Sequence, residues 1–185
     1  LGVAFLSGTL VLGDTMRGTF SDLFATGNKG MDAVVQADRI ETEGMEQAGL
    51  LDQALVDKVR AVDGVAQAEP VIEGYGKLIG KDGRSIGGNG PPTVAGNWLA
   101  DSPMSSYRLV EGRAPQKEHE VVINRGAAKT GGHKVGDTTT IQTPLPVPVE
   151  IVGLSTFGSV DSAGGITYTA FTLDAAQELV LHQHG

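Results

Sequence analysis

The chain opens on a stretch whose hydrophobic pattern changes at Asp14 without any sign of breaking. Leu1 to Leu12 are almost all apolar or small, whereas Met16, Phe20, Leu23 and Phe24 recur at steps of three and four among Asp, Arg, Ser and Thr. That is the spacing of an amphipathic helix with one apolar stripe. One helix is therefore expected to pass from apolar to wet surroundings and to end near Asn28–Gly30, where Gly27 and Gly30 suit left-handed caps. A membrane span needs about 20 apolar residues, and the stretch supplies only part of that length. Residues 1–13 are read as the outer end of a transmembrane helix and residues from Asp14 to Phe24 as a stalk. The rivals are a buried helix of a soluble domain and a signal remnant. Against the latter, no basic residue precedes Arg17 and the helical pattern runs on past it.

Downstream the period shifts repeatedly between two and about 3.6. Asp32–Asp38, DAVVQAD, reads as a strand. Leu51, Leu55, Val59 and Val62 form one stripe of a helix that Asp63-Gly64 terminates, and VAQAEPVIEGYGKLIG reads as a long strand or a pair of strands. Strand, helix and strand at these lengths predict a βαβ-type unit. KDGRSIGGNGPP is too rich in turn residues for an interior element and predicts a hairpin tip or subdomain junction. Past it TVAGNWLA, YRLVEGRAP, EVVIN, Thr138–Thr143 and Pro146–Leu154 read as strands, with a helical turn near Ala127–Thr130. Pro144, Pro146 and Pro148 belong at a turn or an edge, because proline cannot donate to a central ladder. ITYTAFTL then leads into the helix DAAQELVLHQHG, with Asp174 as cap or first-turn acid. This second half-unit lacks the strand that would complete it.

Composition narrows the functional classes. The 185 residues carry a formal charge of -8, no cysteine, 27 glycines and 5% aromatics. The acidity argues against nucleic acid, whose phosphates require a clustered basic face. The absence of cysteine rules out a disulfide framework and thiolate zinc sites.

No catalytic, cofactor or metal site emerges from the motifs. Gly80–Ser85, GKDGRS, has the wrong spacing for a phosphate loop and no helix after it. His119 and His133 are isolated, and His182 and His184 sit two apart, where a helix would not put them on one face. Ser7, Ser159 and Ser162 lack the strained elbow of a nucleophile. Glu41, Glu43 and Glu46 lack calcium-loop spacing and read as a solvated face. Trp98, the single tryptophan, reads first as a cap on a small core and second as a partner contact.

Three blocks together resemble the extracytoplasmic domain that follows the first transmembrane helix in permeases of the MacB and FtsX type, especially those of high-GC Gram-positive bacteria. They are LGVAFLSGTLVLGDTMRGTFSDLF followed by DAVV, then LLDQALVDKVRAVDGVAQAEPVIEGYGKLI, then RLVEGRAPQKEHEVVINRGAAKTGGHKVGDTTTIQ ending in PVEIVGLST. The last carries the recurrent positions Gly112, Arg113, Pro115, Glu120, Val121, Val122, Val135, Gly136, Asp137, Val152 and Gly153. Gly112 and Gly136 suit turns with positive φ, and Asp137 suits a local turn hydrogen bond.

The resemblance implies an α+β fold: a porter-like βαβ-containing subdomain with a small β-rich subdomain inserted into it, preceded by a long N-terminal stalk helix. The expected division is 1–13, end of a transmembrane helix; 14–82, first part of the porter-like subdomain; 83–158, the insert; and 159–185, the second part. It further implies a non-catalytic domain of an ABC transporter permease on the outer face of a cell membrane. The partners would be an ABC ATPase subunit, a second permease copy and an extracytoplasmic protein or peptide. A stand-alone cell-envelope binding module is the alternative from another class, and a secreted enzyme the third.

Overall fold

The computed structural model describes residues 26–27, 30–37, 39–42, 45–87, 90–99 and 102–181. Within them lie ten strands and three helices: β1 (Arg39–Thr42), β2 (Met45–Ala48), α1 (Ala54–Arg60), β3 (Glu73–Tyr75), β4 (Lys77–Leu78), β5 (Thr93–Asn97), β6 (Tyr107–Gly112), β7 (Glu120–Asn124), α2 (Arg125–Gly131), β8 (Thr138–Gln142), β9 (Pro146–Phe157), β10 (Thr167–Phe171) and α3 (Leu173–Leu179). The fold is mixed α+β. The predicted transmembrane end and stalk, residues 1–24, lie outside the described residues. Among the described residues, no helix is long and apolar enough to cross a membrane.

β1 and β2 form a separate two-stranded hairpin, and the other eight strands make one curled sheet in the order β3-β5-β10-β7-β9-β8-β4, with β6 also on β9. The two ends of that order are joined covalently, since Gly76 alone separates Tyr75 from Lys77. The sheet therefore closes on itself. β9 holds it together: β8 pairs antiparallel with its first half and β6 with its second half on one edge, while β7 runs parallel along the other. Pro146 and Pro148 sit at exposed positions of β9, ahead of Glu150 where β7 begins to pair. This is edge behaviour, as their missing N–H groups require.

Inside the curl, Leu78, Ala95, Val121, Ile123, Ile141, Ile151 and Phe171 form the core, sealed by Ala127 and Ala128 of α2 and Ala175 and Ala176 of α3. Small alanines let both short helices approach the strands closely. β7 and β10 are buried at every position, so each also presents residues to the outer face, Val122 and Tyr168 among them. α3 is capped by the Thr172 hydroxyl, which accepts from the Ala175 N–H at 3.3 Å. Asp174 is thus the first-turn acid and not the cap.

Two expectations fail. Residues 32–37 form no strand, and Val34 and Val35 are 70% and 57% exposed. A β-branched run becomes a strand only where another strand supplies its hydrogen bonds, and none lies beside it among the described residues. The predicted βαβ unit falls with it: α1 follows the β1–β2 hairpin and none of its residues is buried. The helix itself forms, shorter than its stripe, with Gly64 at φ 89° behind it. Leu51 and Val62, at the stripe's ends, stay exposed. The turn-rich segment does make a hairpin tip, with Ile79 bridged to Ser85 and the Gly80 N–H donating to the Arg84 carbonyl at 2.7 Å.

A Cβ at Gly76 would lie 2.2 Å from the Ala95 Cβ, so Gly76→Ala should lower stability by about 1–3 kcal/mol through overpacking. Gly90→Ala, with open space around it, should leave the urea midpoint in place. The Thr169 hydroxyl is fully buried without a partner. Thr169→Val should therefore be neutral or stabilising by about 1 kcal/mol in the same titration.

Candidate functional site

The described residue pair nearest the predicted stalk is Thr26–Gly27, and both residues are helical. Their seat is built from the start of β6 and the end of β9. The Ser106 hydroxyl lies 2.9 and 3.0 Å from the carbonyl oxygens of Thr26 and Gly27, which share its one proton. Carbonyls in the last turn of a helix lack partners within it, and a serine from a distant strand meets these two. Ser106 is itself fixed, because its carbonyl accepts the Gly158 N–H at 2.9 Å. A Cβ on Gly27 would sit 3.8 Å from the Phe157 ring. The chain then turns at Gly30, φ 79°, where a Cβ would strike the Pro103 carbonyl oxygen at 2.3 Å. An open cleft of about 310 Å³ lies at this junction, lined by Thr26, Ser105, Ser106, Arg108, Gly158 and Ser159.

An aromatic column rises from the seat across the outer face of the sheet. Phe157 meets Tyr107 edge-on at 5.4 Å, and Tyr107 stacks on Tyr168 at 3.8 Å with an interplanar angle of 7°. Burial, assisted by the nearby Glu73 carboxylate, pushes both phenols upward from their ordinary values. The column is thus a neutral, apolar contact throughout the physiological range. At its far end the Tyr168 hydroxyl donates to the Asn97 carbonyl at 3.2 Å.

Two buried asparagines, silent in the sequence, clamp the sheet around this column. Asn97 accepts from the Ile72 N–H at 2.7 Å and donates to the Pro70 carbonyl at 3.0 Å. Asn124 accepts from the Tyr168 N–H at 2.9 Å and donates to the carbonyls of Asp161 and Ile166. An asparagine at a strand end reads as a turn residue, and only the folded chain gives it non-local backbone partners. Trp98 follows Asn97, is half-buried, and donates its backbone N–H to the Phe171 carbonyl at 2.8 Å.

Several of the recurrent motif positions hold turns and loops in place. Gly112 and Gly136 have φ of 73° and 88°, and Asp137 accepts from the Lys134 N–H at 2.8 Å and from the Lys81 ammonium at 2.7 Å. Arg113 forms a two-pronged pair with Glu120, both contacts at 2.6 Å, which fastens the Gly-Arg-x-Pro turn to the start of β7. The Arg113 guanidinium holds the Glu120 carboxyl down to about 2, with help from the Gln116 N–H. Asp161 is similarly lowered by Lys129 and Arg125, which clasp the β9–β10 loop onto α2.

The other candidates are scattered. His119 is exposed beside Glu118, whereas His133 is buried with Nε2 2.7 Å from the Ile79 carbonyl oxygen. His182, His184, Glu43 and Ser7 lie outside the described residues. Glu41 and Glu46 pair in register on the β1–β2 hairpin. Ser162 donates to the Ile166 carbonyl within its own loop, and Ser159 lines the open cleft. Among the described residues, no group of three or more acidic, histidine or cysteine side chains is placed to hold a metal ion.

A family model described as MacB-like periplasmic core domain matches residues 1–182. No curated protein matches the chain.

A carboxylate depressed in the folded state stabilises it above the unfolded-state pKa and loses that contribution as protons return. With Glu120 lowered from 4.5 to about 2, stability should fall as pH drops from about 4.5 toward 2. Glu120→Gln should flatten this part of the profile, measured as the urea midpoint against pH, and should cost stability at neutral pH by leaving Arg113 unpaired.

Proposed function

The chain belongs to the MacB-like periplasmic core domain family, and on that premise we propose that it couples cytoplasmic ATP hydrolysis to conformational change outside the membrane. Domains of this family are extracytoplasmic, non-catalytic parts of ABC transporter permeases, which work with ABC ATPase partners. The finer reading is that the permease acts as a dimer of the high-GC Gram-positive type and handles an extracytoplasmic protein or peptide. Residues 1–13 end its first transmembrane helix, and the stalk from Asp14 to Phe24 carries motion into the domain.

The observation that carries this reading is the seat. The helical residues that follow the predicted stalk are bonded through Ser106 to the sheet, and a packed sheet moves as a unit rather than deforming smoothly. The expected division into a porter-like subdomain, 14–82 and 159–185, with a β-rich insert, 83–158, belongs to the proposal. The sheet's hydrogen bonding crosses both internal lines, since β3 pairs with β5, β4 with β8, and β10 with β5 and β7.

Replacing Leu23 and Phe24 together by glutamine in the assembled permease should uncouple the domain: ATP hydrolysis continues while most of the extracytoplasmic output is lost. Normal output per ATP from this variant would remove the stalk from the mechanism.

A further inference from the structure

The aromatic column has a geometry that the hydrogen-bonded sheet does not explain. From β6 the path of ladders to β10 runs through β9 and β7, three spacings of about 4.8 Å, or roughly 14 Å in all. The Tyr107 and Tyr168 rings cross that interval above the strands and meet face to face at 3.8 Å. Beyond Tyr168 the contacts continue without a gap. Its hydroxyl bonds the Asn97 carbonyl, and the Asn97 side chain holds Pro70 and Ile72. Two residues earlier the Ala68 carbonyl accepts from Arg60 Nε, at the end of α1, at 2.9 Å.

We propose that Tyr107 is a positioning residue, whose ring passes the placement of Thr26–Gly27 to the Pro70–Ile72 segment and so to α1. The proposal deepens the reading above and rests on it for its purpose, while its geometry stands alone. At the input end, Ser106 bonds Thr26 and Gly27, and the adjacent Tyr107 carbonyl is held by the Ser105 hydroxyl at 3.0 Å. At the output end stands the helix with no buried residue and with Leu51 and Val62 exposed beside it. α1 thus has only half-buried contacts, Leu55, Val56 and Val59, and Gln53 at its start accepts from Gln177 at 2.8 Å. Stacked rings in a close-packed environment resist sliding because any offset opens voids and forfeits contacts. Both phenols are neutral, so the relay does not switch with pH near neutrality.

The test is amide hydrogen exchange on this chain. The Ile72 N–H, bonded to Asn97 Oδ1, reports the output, and the Ile151 N–H, bonded to the Asp137 carbonyl on the far side of the curl, is the control. Ser106→Ala, by removing hydrogen bonds worth about 1 kcal/mol, should speed exchange at Ile72 roughly fivefold and leave Ile151 unchanged. In a Tyr107→Leu background the same change should add nothing at Ile72, whereas in Tyr107→Phe, which keeps the ring, the fivefold response should persist. An undiminished response in Tyr107→Leu would show that the signal bypasses the ring and overturn the proposal. So would equal acceleration at Ile72 and Ile151, which marks global loosening, or no change at Ile72 in the parent chain. None of these outcomes involves ATP, so the relay and the coupling reading fail separately.

Discussion

The structure depends on one close approach. Where the chain passes from β3 to β4, Gly76 lies against Ala95 with no room for a side chain, and this contact lets two successive short strands serve opposite ends of the same sheet. Without it the curl would open between β4 and β5, and Leu78, Ala95 and Ile141 would lose their shared interior. The cost of a glycine in a strand, about 0.5–1 kcal/mol relative to alanine, is offset here by a closed core that short helices can seal with alanines.

Closure also determines where polar groups go. Ladder hydrogen bonds run out where strands diverge, and buried backbone groups there need other partners. Asn97 and Asn124 meet that need at the ends of β5 and β7, the first holding the Pro70–Ile72 segment and the second the β9–β10 loop and the start of β10. Arg113 with Glu120, and Asp161 with Arg125 and Lys129, fasten the loops on either side. The acidic chain thus spends several carboxylates on local fastening.

Rigidity matters to the proposal because Thr26 and Gly27, which follow the predicted stalk in sequence, are bonded at the junction of β6 and β9. The carbonyls of Thr26 and Gly27 beside Ser106, the Phe157 ring and a tight turn at Gly30 hold that pair in place. The family assignment makes the chain an extracytoplasmic domain of an ABC transporter permease. α1 and the run around Val34 and Val35 are the least embedded pieces of the described chain. Movement is cheapest there, because few packed contacts oppose it.

Local pattern alone was enough for most elements. The strands from Thr93 onward, the helical turn after β7, the hairpin tip, the pairing of β8 with β9 and the positive φ of Gly112 and Gly136 are all set by near neighbours, and the motif order led to the family. The N-terminal run from Asp32 shows the opposite case. DAVVQAD has the composition of a strand, but a strand is completed by a partner that its own residues do not encode. Likewise the stripe of α1 marks a helix without saying what covers it. Gly76, Asn97, Asn124, Ser106 and the Tyr107–Tyr168 stack were invisible beforehand, since each acts on residues far along the chain. Sequence determined what every segment tends to become within a few residues. Tertiary structure decided that the sheet closes, where Thr26–Gly27 sits and which side chains connect the two, because those contacts exist only once distant segments share a surface.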